Sequence, residues 1–155
     1  MAAIWRIATE VPAYAADDLS GTGAKITGGR WNSPGTPMVY CASSIALATL
    51  ETLNFIRSGS LPFNRFLVRI DVPERVWALR EVLASPPAGW DAIPAGLTSR
   101  KTGDGWASGR RSALLAVPSV IVPDEQNFLI NPLHPDSAHI VATTLRRWQY
   151  DPRLF

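Results

Sequence analysis

No apolar run in this chain lasts long before a proline or a glycine interrupts it. Thirteen prolines and eleven glycines fall within 155 residues. A proline removes a backbone donor and a glycine frees the backbone to turn, so the elements between them have to be short. Ile4–Ala8, Met38–Cys41, Phe66–Ile70 and Val76–Leu79 read as short strands, as do Phe128–Ile130 and Ile140–Thr144. Ser112–Val117 and Ser119–Val122 are two further apolar pieces, separated by Pro118, and Asn32–Pro37 reads as a turn. The stretch from Ser44 to Arg57 is the clearest helix. Ser43 or Ser44 can cap it, Ala46, Leu47, Ala48, Leu50 and Leu53 favour helical geometry, and Gly59 supplies a stop. Ser85–Gly109, rich in Pro, Gly, Trp and Asp, reads as a long irregular excursion, either a lid or a plain loop. Short β segments outnumber helices without alternating with them, which makes the fold class α+β rather than doubly wound. At this length the chain forms one domain, residues 1–155.

Composition narrows the function. Hydrophobic residues make up 46% and charged residues 18%, a globular balance whose few ionic groups leave apolar surface for a partner or a deep pocket. The net charge is +2, and the basic pairs Arg110–Arg111 and Arg146–Arg147 do not make a stripe that could track a nucleic acid. Cys41 is alone, which excludes an internal disulfide and fits a reducing cytoplasm. The two histidines, His134 and His139, with one cysteine cannot assemble a zinc set, so no metal is expected. The opening Met-Ala-Ala-Ile-Trp-Arg carries no signal peptide, and no apolar stretch approaches the ~20 residues of a membrane span. A soluble cytoplasmic protein is expected. Gly21-Thr22-Gly23 is too short to count as a dinucleotide fingerprint.

Three groups could carry chemistry. In Gly28-Gly29-Arg30-Trp31-Asn32, backbone amides and a guanidinium can approach one anion together, and Trp31 can stack on a heterocycle. The same residues equally describe a surface turn with a solvated arginine and a buried tryptophan. Glu51 lies seven positions after Ser44, about two turns on along nearly the same helix face. Phe55 stands where a pairing Lys or Arg would be. A carboxylate in apolar surroundings without a local partner is a site candidate, although an exposed polar face would also hold it. Ser112, Ser119, Asn127 and Asn131 punctuate a largely apolar C-terminal region, where they either brace loops or line a polar pocket. A Ser-His-Asp arrangement of Ser112 or Ser119 with His134 and Asp136 lacks the Gly-x-Ser-x-Gly elbow.

Taken in order, these pieces resemble the RES domain. The stretches that carry the resemblance are Gly28–Tyr40, Ala42–Glu51 and Val117–Pro135, supported by Trp5-Arg6 and Gly105-Trp106. Each is weak alone, and the ordered set is specific. The resemblance implies a compact fold similar to ADP-ribosyltransferase toxins, NAD as the substrate, and the toxin half of a type II toxin–antitoxin pair. It further implies an Xre-type helix-turn-helix antitoxin as partner and, in some members, a protein target. By position, Arg30 matches the family arginine, Glu51 its glutamate and Tyr40 an aromatic hydroxyl of the pocket. Ser119 matches the family serine, with Ser112 as second candidate. On this reading Arg30 and the Gly28 and Gly29 amides bind the pyrophosphate, Tyr40 with Trp31 or Trp106 packs against the nicotinamide ring and adjoining ribose, and Ser44 belongs to the same pocket. Glu51 then stabilises the oxocarbenium-like sugar as nicotinamide leaves. Water as acceptor makes an NADase, phosphate a phosphorylase, and a protein side chain a transferase. Glu51 is flanked by Leu50 and Thr52 rather than by a second glutamate, which leans toward a small acceptor. A non-catalytic interaction module is the competing class.

Overall fold

The computed structural model describes residues 1–53 and 63–154. Seven strands form one sheet: β1 (Ala2–Thr9), β2 (Val39–Ala42), β3 (Arg65–Val72), β4 (Glu81–Val82), β5 (Leu114–Pro118), β6 (Gln126–Ile130) and β7 (Val141–Arg147). Their spatial order is β4-β5-β6-β2-β1-β3-β7. Every pairing is antiparallel except β4 with β5. Among the described residues four α-helices accompany the sheet: α1 (Thr22–Thr27), α2 (Ile45–Leu53), α3 (Glu74–Ala78) and α4 (Leu97–Gly109). This is the expected α+β class. Among the described residues no helix is long and apolar enough to cross a membrane.

The sheet is covered on both faces. One face is buried by a single cluster that includes Ile4, Val39, Cys41, Val68, Ile130 and, from α3, Val76. The other face carries two separate clusters. Trp106 and Ala107 of α4 pack with Trp31 over Leu115, Val117 and Leu129. Leu47 and Ala48 of α2 pack with Tyr150 over Ile7, Ala42 and Leu67. Because both faces of the central strands are buried, β5 reads Leu-Leu-Ala-Val with no polar alternation, the pattern of a strand that never meets water.

Three expectations need correction or closer bounds. Val76–Leu79 is not a strand: Pro73 leads into α3, Val76 turns into the core, and Arg80 lies over the Trp77 ring at 4.2 Å. The break expected at Pro118 is a turn: Pro118 ends β5 and the chain turns back, closed by Ser119 N donating to the Glu125 carbonyl at 2.9 Å. The Ser44 helix is described only to Leu53; residues 54–57, Phe55 among them, and the stop at Gly59 lie outside the described residues. Most informative is the expected irregular excursion, whose second half is α4.

The α4 segment carries three glycines and was unreadable as a helix by propensity. Tertiary packing overrides that cost. Ser99, Gly103, Trp106 and Ala107 are its buried residues, a helical spacing that faces the sheet. A Cβ at Gly103 would sit 1.6 Å from the Trp31 carbonyl oxygen, so only glycine lets this helix approach the turn before β2. Asn131 Nδ2 donates to the Ala107 carbonyl at 2.9 Å and satisfies the last turn. Gly103→Ala is therefore expected to destabilise the fold by about 1–3 kcal/mol or more. Gly105→Ala, where a Cβ meets nothing within 4 Å, is expected to stabilise it by about 0.5–1 kcal/mol. Urea unfolding of the two variants checks the pair; equal effects of one sign would contradict the packing account.

Candidate active site

Glu51 and Ser119 are 68 positions apart in sequence and meet in space: Ser119 Oγ donates to Glu51 Oε1 at 2.8 Å. Ser119 is fully buried, and its oxygen also accepts from Val122 N at 3.1 Å. The hydroxyl thus accepts from its own turn and gives its one proton to the carboxylate. The other carboxylate oxygen has no hydrogen bond among the described residues. Glu51 rides on α2, in the cluster with Ala42 and Ile7, whereas Ser119 follows Val117, in the cluster under α4. Their bond thus ties the two halves of that sheet face together at their seam.

The start of α2 is set by Ser44, whose Oγ accepts from Leu47 N at 3.1 Å. Ser44 is a capping residue in this structure. Near the other end, the Thr52 and Tyr150 hydroxyls lie 2.8 Å apart, so the residue next to Glu51 is pinned by the C-terminal segment.

Tyr40 organises a second part of the site. Its hydroxyl accepts from Trp31 N at 3.0 Å and donates to Asn32 Oδ1 at 2.5 Å. Asn32, the last residue of the Gly28–Asn32 group and given no role of its own there, is fully buried and donates to the Ala24 and Thr36 carbonyls. Burial raises the Tyr40 phenol well above its ordinary range, so it remains a donor. Gly29 has to be small here, because a Cβ would sit 2.6 Å from the Tyr40 oxygen. The expectation that the Gly28 and Gly29 amides face an anion is not met. Gly28 N donates to Ala24 O at 2.7 Å and Gly29 N to Asn32 O at 3.0 Å, both inside the turn.

The aromatic candidates divide. Trp31 is 2% exposed and stacks on Trp90 with ring centroids 6.1 Å apart. Trp106 is equally buried, and its Nε1 donates to Ser112 Oγ, which in turn donates to the Leu114 carbonyl. Both rings are core, and Ser112 braces one of them. Arg30 Nη1 donates to the Trp90 and Ala92 carbonyls, each at 2.9 Å, and so holds the loop before α4. The Ser-His-Asp alternative has no geometry behind it: His134 Nδ1 accepts from Asp136 N and neither serine bonds it.

Arg6 was passed over, and the structure brings it forward. Between β1 and β2 the register holds a single pair, Trp5 with Ala42, against eight pairs between β1 and β3. Where β1 and β2 part, Arg6 Nη1 donates to the Tyr40 carbonyl at 3.0 Å, while its Nε is buried without a partner. The guanidinium borders a recess lined by Thr9, Tyr14, Asp18 and Met38. The available signal was a charge inside a strand whose neighbours on the same face, Ile4 and Ala8, are core.

The family model described as RES domain matches residues 3–152. The chain belongs to the RES domain family. It is 60% identical over 153 residues to the Prs ADP-ribosylating toxin of Sphingobium sp. (strain YBL2), covering 97% of this chain and 94% of that protein. It is 36% identical over 143 residues to Toxin Res of Photorhabdus laumondii, covering 91% and 90%. In fold it is similar to a chain of the M. tuberculosis MbcT–MbcA toxin–antitoxin complex, with a TM-score of 0.64 at 16% identity over 94% of this chain and 84% of that one. Of the three residue types the RES resemblance assigned, this domain joins glutamate and serine directly, through Glu51 and Ser119. The arginine it assigned, Arg30, is bonded instead to the loop carbonyls.

Two measurements follow from groups buried on the two faces of the sheet. Tyr40→Phe strands the Trp31 amide and the buried Asn32 oxygen, and is expected to cost about 1–3 kcal/mol in urea unfolding; an unchanged stability would remove Tyr40 as the turn's anchor. On the opposite sheet face, burial pushes the Cys41 thiol up to about 12. Unfolded thiols titrate near ~8.5, so the unfolded state sheds this proton first as pH rises. The stability linked to Cys41 is full below about pH 8.5 and falls progressively above it. Native protein at about pH 8 should resist thiol alkylation that the denatured chain undergoes at once.

Proposed function

We propose that this RES domain is a toxin that consumes NAD by breaking the bond between nicotinamide and its ribose, and that an antitoxin holds it in check. The observation that carries the reading is the Glu51–Ser119 pair on the sheet face that also carries Tyr40. Nicotinamide is cationic in NAD and leaves neutral, taking the bonding electrons, so positive charge develops on the ribose. A carboxylate held in place beside the sugar stabilises that charge as it appears. Ser119 fixes one oxygen of Glu51, and the other is free to face the ribose. Such a site needs orientation and charge more than a strong acid, which accords with the absence of any role for histidine. Arg6 and Arg30 are the cations for the pyrophosphate. Arg6 has a buried Nε still without a partner, and Arg30 keeps Nε and Nη2 once Nη1 is bound to the loop. Tyr40 orders the wall of the pocket.

The acceptor has two readings. The single glutamate between Leu50 and Thr52 favours water or phosphate. The 60% identical relative, named an ADP-ribosylating toxin, favours a protein side chain. The solved neighbour belongs to a toxin–antitoxin complex, which supports an antitoxin partner, of Xre helix-turn-helix type by the family resemblance. Exposed Ile26, Ile93 and Leu97 provide apolar surface for it. The proposed place of action is the cytoplasm.

Purified protein is expected to deplete NAD, with product mass naming the acceptor. Glu51→Gln should lower the rate by about 10²–10³-fold or more. Ser119→Ala, which frees the carboxylate to move and also takes the acceptor from the Val122 amide, should cost roughly 10–100-fold. Arg6→Ala should raise KM more than it lowers kcat. Wild-type turnover in Glu51→Gln would end the catalytic assignment, and no NAD loss from the free toxin with cell extract added would return the chain to an interaction module.

A further inference from the structure

Among the described residues four buried side-chain atoms lack a hydrogen-bond partner: Arg6 Nε, Arg80 Nε, Trp148 Nε1 and Asn127 Oδ1. Three are donors; Asn127 Oδ1 is the acceptor. A buried acceptor left empty is costly and is retained where something outside the chain fills it. Its position says what that is. Asn127 pairs in register with Ala42 on β2 and with Val117 on β5, and Ala42 pairs in turn with Trp5 on β1. Opposed residues share a face, so Val117, Asn127, Ala42 and Trp5 form one row across four strands. Val117 belongs to the cluster under α4, and Ala42 and Trp5 to the cluster under α2. The Asn127 amide therefore stands on the seam itself. Ser119 follows Val117 by two residues on one side, and Tyr40 precedes Ala42 by two on the other.

We propose that Asn127 Oδ1 accepts a hydrogen bond from the carboxamide N–H2 of the nicotinamide ring and so selects the carboxamide-bearing dinucleotide. This rests on the NAD reading above. The row that holds Asn127 is otherwise apolar: Val117 and Ala42 are buried beneath the two covers, and the Trp5 ring, only partly buried, is the member a flat heterocycle can meet. The carboxamide carries that ring's only N–H donors. The ribose hydroxyls have a stronger acceptor nearby in Glu51, which leaves the neutral amide oxygen to the neutral amide. Asn127 binds and discriminates; Glu51 remains the group that acts on the sugar.

The test measures kcat/KM of wild type, Asn127→Ala and Asn127→Asp with NAD and with its 3-acetylpyridine analogue, whose methyl ketone lacks the N–H donors, together with Tm of each protein. Wild type should prefer NAD. In Asn127→Ala, kcat/KM for NAD should fall by about 10–100-fold, in line with a binding partner left unpaired. Turnover of the analogue should stay within about threefold, collapsing the preference, because the lost bond is one the analogue never made. Its Tm should equal or exceed that of wild type, since no bond within the chain is lost. Asn127→Asp, which keeps an acceptor oxygen of the same shape, should retain the preference. A preference for NAD that survives in Asn127→Ala, an equal loss on both substrates, or a lowered Tm would each overturn the assignment. If wild type turns over neither dinucleotide, the NAD reading itself falls and this inference with it; a defect confined to the variants leaves that reading standing.

Discussion

The fold depends on burying both faces of one short-stranded sheet. Leu114, Leu115, Ala116 and Val117 are each 2% exposed or less, and their side chains alternate between a single continuous cluster and the divided face opposite. The divided face is the consequential one. Two coverings, α4 with the turn before β2 and α2 with the C-terminal segment, meet along β2 and β6 without merging. A seam between two apolar covers is where a few polar groups can be held out of bulk water and still reach a ligand. Glu51, Ser119, Asn127 and Tyr40 are the polar groups found along it.

Rigidity at that seam comes from hydrogen bonds spent inside the protein. Ser119 is locked by its own turn before it touches Glu51, and Tyr40 is locked by Trp31 and Asn32. Gly103 lets α4 press against the carbonyl of Trp31, the same residue whose amide Tyr40 accepts. The chain from helix packing to turn geometry to phenol is therefore continuous. A preorganised arrangement of this kind suits a reaction whose barrier is mainly charge development on a sugar, because no group needs to reorient as the charge appears.

The reassigned residues show how polar groups divide between building and binding. Ser44, Ser112, Gly28, Gly29 and Trp31 read as binding groups in sequence and are structural in space, each having its polar atoms or ring satisfied by the chain. Arg6 draws no site role from the sequence and Asn127 reads as either a loop brace or a pocket residue; each has a buried atom left over. A leftover buried atom cannot be seen in sequence, since it is defined by what does not come near it. Arg30 spends its guanidinium on the loop carbonyls, whereas Arg6 keeps a buried Nε over, a difference that lies in their tertiary neighbours.

By itself the sequence determined the α+β class, the short strands, the helix start at Ser44, and the membership carried by the ordered Gly28–Tyr40, Ala42–Glu51 and Val117–Pro135 stretches. These are local matters: proline and glycine punctuation, a capping hydroxyl, and motif order along one dimension. Tertiary structure decided that a glycine-rich segment becomes α4, that Val76 to Leu79 does not enter the sheet, and that Ser119 rather than Ser112 meets Glu51. Each of those depends on a neighbour far away in the chain. The packing free energy of Trp106 and Ala107 against the sheet outweighs a poor helix propensity, and a hydroxyl finds its partner by sheet register, which no local pattern encodes.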